Sequence, residues 1–313
     1  MLDAQILGRG SAFEAHGQPD GVTVLRSSDR NSWKNVTLVH AFRCHWTDYL
    51  KEAAGLIAFM LGAGAFTTLF QFPGSPVRQA MPSALSRDIG LGIIMSGVTA
   101  AIIYSPWGKK SGAHINPAVT WAFYRLGRIN RSDALFYTLF QFAGGTIAPV
   151  VLFWVIGAPF ADAKVKFATT QPGPEGPLVA FAAEFLISFI LMMALLMAIN
   201  SERLEKAAGA IAAGLIGIYI AFESPLSGMS LNPARSLGSA LTAGQWTGLW
   251  VYFTAPMMAT LLAAEFYMKL RRTGFIFDRS TIAGTQRYRI ISDYKAGPDY
   301  PVESDEIDEG QRG

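Results

Sequence analysis

Two copies of one short element carry the residues whose types and spacing indicate chemistry. Ser111–Ala118 reads SGAHINPA and Ser227–Ala234 reads SGMSLNPA, so both follow the pattern SGxxxNPA. An Asn followed by a Pro is typical of a helix start, because the Asn side chain caps the helix and Pro fits its first position. The sequence therefore predicts two helices that begin at Asn116-Pro117-Ala118 and at Asn232-Pro233-Ala234.

Both predicted helices are too short to cross a membrane. The apolar stretch after Asn116 ends at Arg125, and the stretch after Asn232 ends at Gly244, whereas a spanning helix needs about 20 apolar residues. Loop backbone at membrane depth is tolerated only where protein buries it or where it lines a water-filled cavity. Each copy is therefore interpreted as a re-entrant loop that leads into a half-helix.

The peptide groups before each helix start can act as a row of hydrogen-bond acceptors. We expect the carbonyls of 112–115 and 228–231 to face a pore, and the amides of Asn116 and Asn232 to donate to a passing oxygen. A buried carboxylate can accept the N–H groups of such a loop. We assign this supporting role to Glu52 and Glu184, each of which lies in the first apolar run of its half of the chain.

Composition places these elements in a membrane. Of the 313 residues 51% are hydrophobic and 16% are charged, whereas soluble domains carry about 25% charged residues. No charge occurs in four long runs, at 53–77, 89–108, 134–161 and 236–264. A soluble enzyme, a disordered protein and a nucleic-acid binder are therefore excluded. The apolar runs predict six spans, at 49–72, 88–104, 133–156, 178–200, 205–222 and 248–270.

The repeat sets the topology of these spans. Each SGxxxNPA element follows the second span of a three-span half, and an odd number of spans reverses the second half relative to the first. The predicted fold class is an all-α membrane protein, with six transmembrane helices and two re-entrant half-helices in inverted three-helix repeats. Placing both termini in the cytoplasm puts 21 of the 26 Lys and Arg residues inside, as the positive-inside rule requires.

The sequence contains no set of residues that predicts a metal site, a disulfide or a catalytic site. Cys44 is the single cysteine, and three of the four histidines precede the first apolar run, so no disulfide, metal site or cofactor is expected. The apolar spans contain no nucleophile with a base, and we therefore do not interpret the protein as an enzyme.

At this point the sequence resembles the aquaporin, or major intrinsic protein, family over about residues 48–270. The resemblance rests on SGAHINPAVT at Ser111–Thr120 and NPARSLGSA at Asn232–Ala240. The family's two glutamates match Glu52 and Glu184, and its third-span glutamine matches Gln141. The family fold implies an aquaporin-like channel domain at 49–270, usually in a homotetramer. The tails at 1–48 and 271–313 fall outside the resemblance, and the positive-inside rule predicts that both are cytoplasmic. The C-terminal tail includes the acidic run ESDEIDE at Glu303–Glu309.

In the family, an Arg after the second NPA joins three other residues in a selectivity filter. That Arg matches Arg235, and counting from the motifs without gaps puts the others at Ser96, Ile220 and Met229. Water-selective members carry an aromatic residue and a His at the first two positions, and glycerol facilitators carry a Trp and a Phe that flank a Gly. The set in this chain matches neither, which calls strict water selectivity into question.

The resemblance implies a passive channel in the plasma membrane or a bacterial inner membrane. Ser236, Ala240 and the pair Tyr252-Phe253 resemble the water channels more than the glycerol facilitators. We expect conduction of water with some small neutral solutes, and exclusion of protons and ions. Three alternatives stay open: a glycerol or small-solute facilitator, an ion-coupled transporter, and a membrane scaffold with a closed pore.

Overall fold

The structure, a computed structural model, describes residues 36–273. Six helices in this range are long and apolar enough to cross a membrane, as predicted. We number them spanning helices 1 to 6 in chain order, with the bounds Leu38–Gln71, Ala84–Tyr104, Arg131–Ile156, Pro177–Ile199, Ala208–Phe222 and Leu249–Arg272. A 3₁₀ turn at Glu205–Ala207 precedes the fifth.

Two shorter helices begin at the repeated element. The first half-helix is Pro117–Arg125 and the second is Pro233–Ala243. Within residues 36–273 every other regular element is also helical and short. These elements are Pro76–Ala80, Pro106–Ser111, Ala158–Ala161, Ser224–Ser227 and the 3₁₀ turn Lys166–Ala168.

Spanning helix 1 begins eleven residues earlier than its predicted start at Tyr49. Thr37 caps it by accepting the His40 N–H at 3.3 Å. The added turns contact the start of spanning helix 3, where His45 Nδ1 lies within hydrogen-bond distance of Asp133 Oδ1, at 3.0 Å. Hydropathy cannot detect these polar turns, and the predicted boundary at residue 48 falls inside the helix. Residues 1–35 and 274–313, including the predicted acidic run, lie outside the described residues.

Helix packing follows the internal repeat. Spanning helix 1 packs against 3 as 4 packs against 6, and helix 1 contacts 2 as 4 contacts 5. Each half-helix packs against the third spanning helix of the opposite half, and helices 2 and 5 contact each other. Exchanging the two halves leaves this pattern of contacts unchanged. The inverted three-helix repeat predicted from the sequence is therefore present in the fold.

Glycines allow two of these contacts to be very close. A Cβ on Gly238 in the second half-helix would lie 1.8 Å from the carbonyl oxygen of Gly145 in spanning helix 3. A Cβ on Gly92 would lie 2.3 Å from the carbonyl oxygen of Gly217, where helices 2 and 5 meet. Small residues let helix backbones approach each other in membranes. The first contact places the second half-helix directly against spanning helix 3, and the second joins helices 2 and 5.

Candidate functional site

The N-termini of the two half-helices meet at the centre of the bundle. Asn116 Oδ1 accepts the N–H of Ala118 at 2.9 Å, and Asn232 Oδ1 accepts the N–H groups of Ala234 and Arg235 at 3.0 and 3.2 Å. Pro follows each Asn at the first helical position. Both helix starts predicted from the NPA triplets are therefore present, and each side-chain oxygen is used as a cap.

The side-chain amides tie the two loops to each other. Asn116 Nδ2 donates to the carbonyl of Leu231, and Asn232 Nδ2 donates to the carbonyl of Ile115, both at 2.8 Å. An amide NH₂ has two N–H donors, so each Asn retains one. The carbonyls of Ile115 and Leu231, which the sequence assigned to the pore, accept these bonds instead of lying free.

Both loops adopt the same unusual backbone conformation. φ is positive at Ala113 (47°) and Ile115 (40°), and at the corresponding Met229 (49°) and Leu231 (60°). A positive φ is strained for residues other than Gly. Within residues 36–273 the carbonyls of 112–114 and 228–230 accept no hydrogen bond. Each loop therefore presents three free acceptors.

Glu52 supports the first loop. Its side chain is fully buried, and its two carboxylate oxygens accept the N–H groups of His114 at 3.1 Å and Ile115 at 2.5 Å. Gln141 Nε2 donates to the same carboxylate at 2.8 Å and to the Thr120 hydroxyl at 3.1 Å. The bonds from these neighbours stabilise a loop whose backbone cannot pair within a helix.

Glu184 supports the second loop in the same way. This side chain is also fully buried and accepts the N–H groups of Ser230 at 2.5 Å and Leu231 at 2.8 Å. Here the third donor is the Ser227 hydroxyl, at 2.8 Å. Within residues 36–273, neither Glu52 nor Glu184 is among the residues that line the two cavities described next.

Two chambers lie against the second re-entrant loop. The larger, of about 170 Å³, contains Arg235 in its wall, and we call it the arginine chamber. The smaller, of about 100 Å³, is lined by both Asn116 and Asn232, and we call it the asparagine chamber. The free carbonyls of 228–230 belong to segments lining the first chamber, and those of 112–114 to segments lining the second.

Three of the four predicted filter residues line the arginine chamber, namely Ile220, Met229 and Arg235. Arg235 Nη1 is buried and has no hydrogen-bond partner among the described residues. Ser96 is not brought to this chamber. Its hydroxyl donates to the Ala213 carbonyl at 2.8 Å, in the contact between helices 2 and 5.

Met95, the residue before Ser96, lines the arginine chamber. The chamber-facing residues of spanning helix 2 are Asp88, Leu91 and Met95, with Thr99 lining the asparagine chamber. This spacing of three to four residues is one helical face, and the next residue points about 100° away from it.

Two other lining residues were missed by the sequence analysis. Phe59 of spanning helix 1 lines both chambers. Asp88 lines the arginine chamber, where it accepts a hydrogen bond from Gln71 Nε2 at 2.9 Å. Neither residue carried a sequence signal, since hydropathy does not tell which face of a membrane helix meets the lumen and which meets lipid.

Glu223 is a buried acid that the sequence analysis also missed. It directly follows spanning helix 5, is 7% exposed, and lines neither chamber. Neither of its carboxylate oxygens has a hydrogen-bond partner within residues 36–273. Burial, and then the nearby carboxylate of Glu184, raise the pKa of Glu223 to about 8, against a smaller lowering by Ser227.

Comparison with known proteins identifies relatives of the whole membrane region. A family model described as "Major intrinsic protein" matches residues 54–267. Aquaporin NIP1-2 of Oryza sativa subsp. japonica is 38% identical over 212 residues, which is 67% of this chain and 70% of that protein. Aquaporin NIP1-1 of Arabidopsis thaliana is 33% identical over 184 residues, 58% of this chain and 62% of that protein.

A solved structure shares the fold. The X-ray structure of the aquaglyceroporin from Plasmodium falciparum aligns with a TM-score of 0.58 and 19% sequence identity. The alignment covers 72% of this chain and 97% of that one.

Proposed function

Because the chain belongs to the major intrinsic protein family and is a membrane channel for water, small solutes or both, we propose that it conducts water and leaks small neutral solutes. It excludes protons and ions. The observation that carries this proposal is the crossed pair of Asn116 and Asn232, each with one amide N–H still free beside the asparagine chamber.

The free N–H groups orient a passing molecule. A water whose oxygen accepts from both amides has its two lone pairs occupied, so it cannot accept a proton from the next water in the file. The carbonyls of 112–114 and 228–230 supply acceptors on either side. A neutral molecule thus exchanges its hydration for protein contacts, whereas the proton relay is interrupted at the centre.

Positive electrostatic potential keeps cations out. Each half-helix N-terminus carries about half a positive charge, and the two meet at Asn116 and Asn232. Arg235 adds a full charge in the wall of the arginine chamber. Glu52 and Glu184 do not line either chamber, and so they provide no proton relay. A cation also loses hydration that these walls do not replace.

The wall around Arg235 favours leakage of amphipathic solutes. Ile220, Met229 and Met95 give this chamber apolar surface opposite one cationic donor. Such a wall accommodates the carbon chain of a small polyol while its hydroxyls bind the Arg and the loop carbonyls. A glycerol or small-solute facilitator is therefore the second candidate. We propose Met95, with Ile220, Met229 and Arg235, as the filter set in place of Ser96.

Assembly and orientation complete the proposal. We propose a homotetramer with a path in each subunit, and both termini in the cytoplasm of a plasma membrane or bacterial inner membrane. The distribution of 21 of the 26 basic residues supports that orientation. It puts the arginine chamber outside and the asparagine chamber inside. The many large apolar side chains exposed on the spanning helices suit contact with lipid and with neighbouring subunits.

Stopped-flow light scattering on proteoliposomes tests the function. Under a gradient of an impermeant osmolyte, we expect shrinkage much faster than in protein-free vesicles, with no accompanying proton current. A glycerol gradient in the same vesicles measures re-swelling, and fast re-swelling would favour the facilitator. No permeability to either would reject the channel activity proposed here and favour the closed-pore scaffold.

A further inference from the structure

One face of spanning helix 1 runs along the arginine chamber. The lining residues Phe59, Ala63, Thr67 and Gln71 are four residues apart, which places them in one row on the helix. Ala63 and Thr67 are small, so the chamber is open at their level. Phe59 is the large side chain at the central end of the row.

Phe59 also lies at the junction of the two chambers. The linings of the arginine and asparagine chambers have three residues in common, Phe59, Met229 and Ser230. Met229 and Ser230 belong to the second re-entrant loop, and their carbonyls accept no hydrogen bond within the described part of the chain. A molecule that moves from one chamber to the other therefore passes Phe59 and these two loop residues.

The surrounding packing holds the ring in this position. Phe59 packs against the apolar cluster that contains Met95 and Met229, and against a second cluster that contains Leu56. One turn earlier, a Cβ on Gly55 would lie 2.7 Å from the Ile115 side chain. The helix thus contacts the first loop directly below the ring, and the ring has little space into which it can withdraw.

We propose that Phe59, opposite Met229, sets the upper size of solute that this channel passes, more than the residues around Arg235 do. This inference rests on the proposed channel function. Water passes the ring by bonding to the carbonyls of Met229 and Ser230, and a small polyol passes with its carbon chain along the ring. A solute with a wider cross-section is stopped here after it has entered the arginine chamber.

Permeability to solutes of graded size tests the proposal. Wild type, Phe59→Ala and Phe59→Leu are reconstituted, and permeability to water, urea, glycerol and erythritol is measured by stopped flow, normalised to the protein incorporated. Pore diameter controls selectivity of this kind, and we expect Phe59→Ala to raise erythritol permeability relative to water by about tenfold. Phe59→Leu, which keeps an apolar side chain in the packing, should give an intermediate rise.

Two further variants separate the possible outcomes. Phe222→Ala removes the same ring from the exposed outside of spanning helix 5 and should leave the solute series unchanged. Ile220→Ala widens the arginine chamber, and its effect on erythritol should be smaller than that of Phe59→Ala. A larger effect of Ile220→Ala, or an unchanged solute series in both Phe59 variants with water conduction intact, would overturn the inference.

The wild-type measurement distinguishes the inference from its premise. If wild type conducts neither water nor solute, the proposed function fails. If wild type conducts water and the Phe59 variants keep its solute series, only the role of Phe59 fails. If Phe59→Ala does not fold, Phe59→Leu decides the question alone.

Discussion

Val119 and Arg235 occupy the same position in the two re-entrant segments, three residues after the Asn. Val119 lines the asparagine chamber and Arg235 lines the arginine chamber. The loops before them have positive φ at the same positions and a buried glutamate on the same N–H groups. The two halves therefore share the loop conformation and its glutamate support. They differ in the side chain at one shared position, which decides what each half presents to a solute.

The supporting contacts of the two loops also differ outside the glutamates. Gln141 joins Glu52 to the Thr120 hydroxyl in the first loop. In the second loop, Ser236, which corresponds to Thr120, contacts the hydroxyls of Ser230 and Thr170. An equivalent support is thus obtained from different side chains, which implies that the loop conformation, more than any one partner, is the common requirement.

The largest expected effect comes from removing either glutamate. Glu52→Ala and Glu184→Ala each leave buried N–H donors without an acceptor, at about 1–3 kcal/mol for each donor. We expect both variants to lose most of the folded, monodisperse protein in detergent, as measured by size-exclusion chromatography and thermal unfolding. Glu175→Ala, at an exposed position, is the control. A large loss in only one variant would break the equivalence of the two loops.

A methyl group tests the packing of the second half-helix. Gly238→Ala places a Cβ 1.8 Å from the Gly145 carbonyl oxygen, and overpacking of this kind costs about 1–3 kcal/mol. The corresponding residue of the first half-helix is the buried Ala122, so only the second half-helix should be sensitive. Gly214→Ala, with no atom within 4 Å of the new Cβ, should keep the wild-type unfolding temperature. Equal unfolding temperatures for the two Ala variants would contradict this packing.

Arg235→Val gives the second re-entrant segment the residue that the first segment carries at the corresponding position, Val119. Without the guanidinium, the charged group left in the lining of the arginine chamber is the Asp88 carboxylate, and we expect proton leakage to rise about tenfold, which corresponds to about 1.4 kcal/mol of barrier. An internal pH dye in proteoliposomes measures the leak, and shrinkage under an osmolyte shows that water still passes. Arg235→Lys keeps the charge and serves as control. A proton leak in Arg235→Val equal to that of wild type would show that the half-helix N-termini exclude protons without the guanidinium.

The smallest effect concerns Glu223 and depends on pH. The pKa of its carboxyl is raised from the ordinary 4.5 to about 8, so the folded protein binds more protons than the unfolded chain between these values. Stability from this group is present below pH 4.5 and is lost as pH rises through 8. Glu223→Gln should therefore match wild type in unfolding temperature near pH 5 and exceed it by a few degrees at pH 9.

Thermal unfolding at several pH values makes this comparison. Glu175→Gln, on the exposed segment before spanning helix 4, is the matched control and should follow wild type throughout. A constant difference between Glu223→Gln and wild type from pH 5 to pH 9 would show that the buried acid does not change its charge in this range.

The spans, the half-helix starts and the loop supports were largely predictable, because they depend on local sequence signals. Charge-free runs predicted the six spans to within a few residues, except at the polar start of helix 1, where His45 contacts Asp133 of helix 3. The repeated NPA triplets predicted both half-helix starts, because Asn and Pro fix a helix start locally. Glu52 and Glu184 were predicted as loop supports, since a carboxylate buried in an apolar span needs donors.

Which residues line the lumen could be determined only from the tertiary structure. Met95 and Ser96 are adjacent in sequence, but a helix turns them about 100° apart, and only the packing of helices 2 and 5 decides which one meets the chamber. Phe59 and Glu223 gave no sequence signal, because apolar side chains face lipid, core and lumen alike, and burial of an acid depends on distant neighbours.

The sequence by itself thus determined the membrane location, the inverted repeat and the chemistry at the centre, because hydropathy and helix-start preferences are properties of short segments. The tertiary structure decided which side chains line each chamber. These properties depend on helix rotation and on contacts between residues far apart in the chain, as in the bonds that join Asn116 to Leu231 and Asn232 to Ile115.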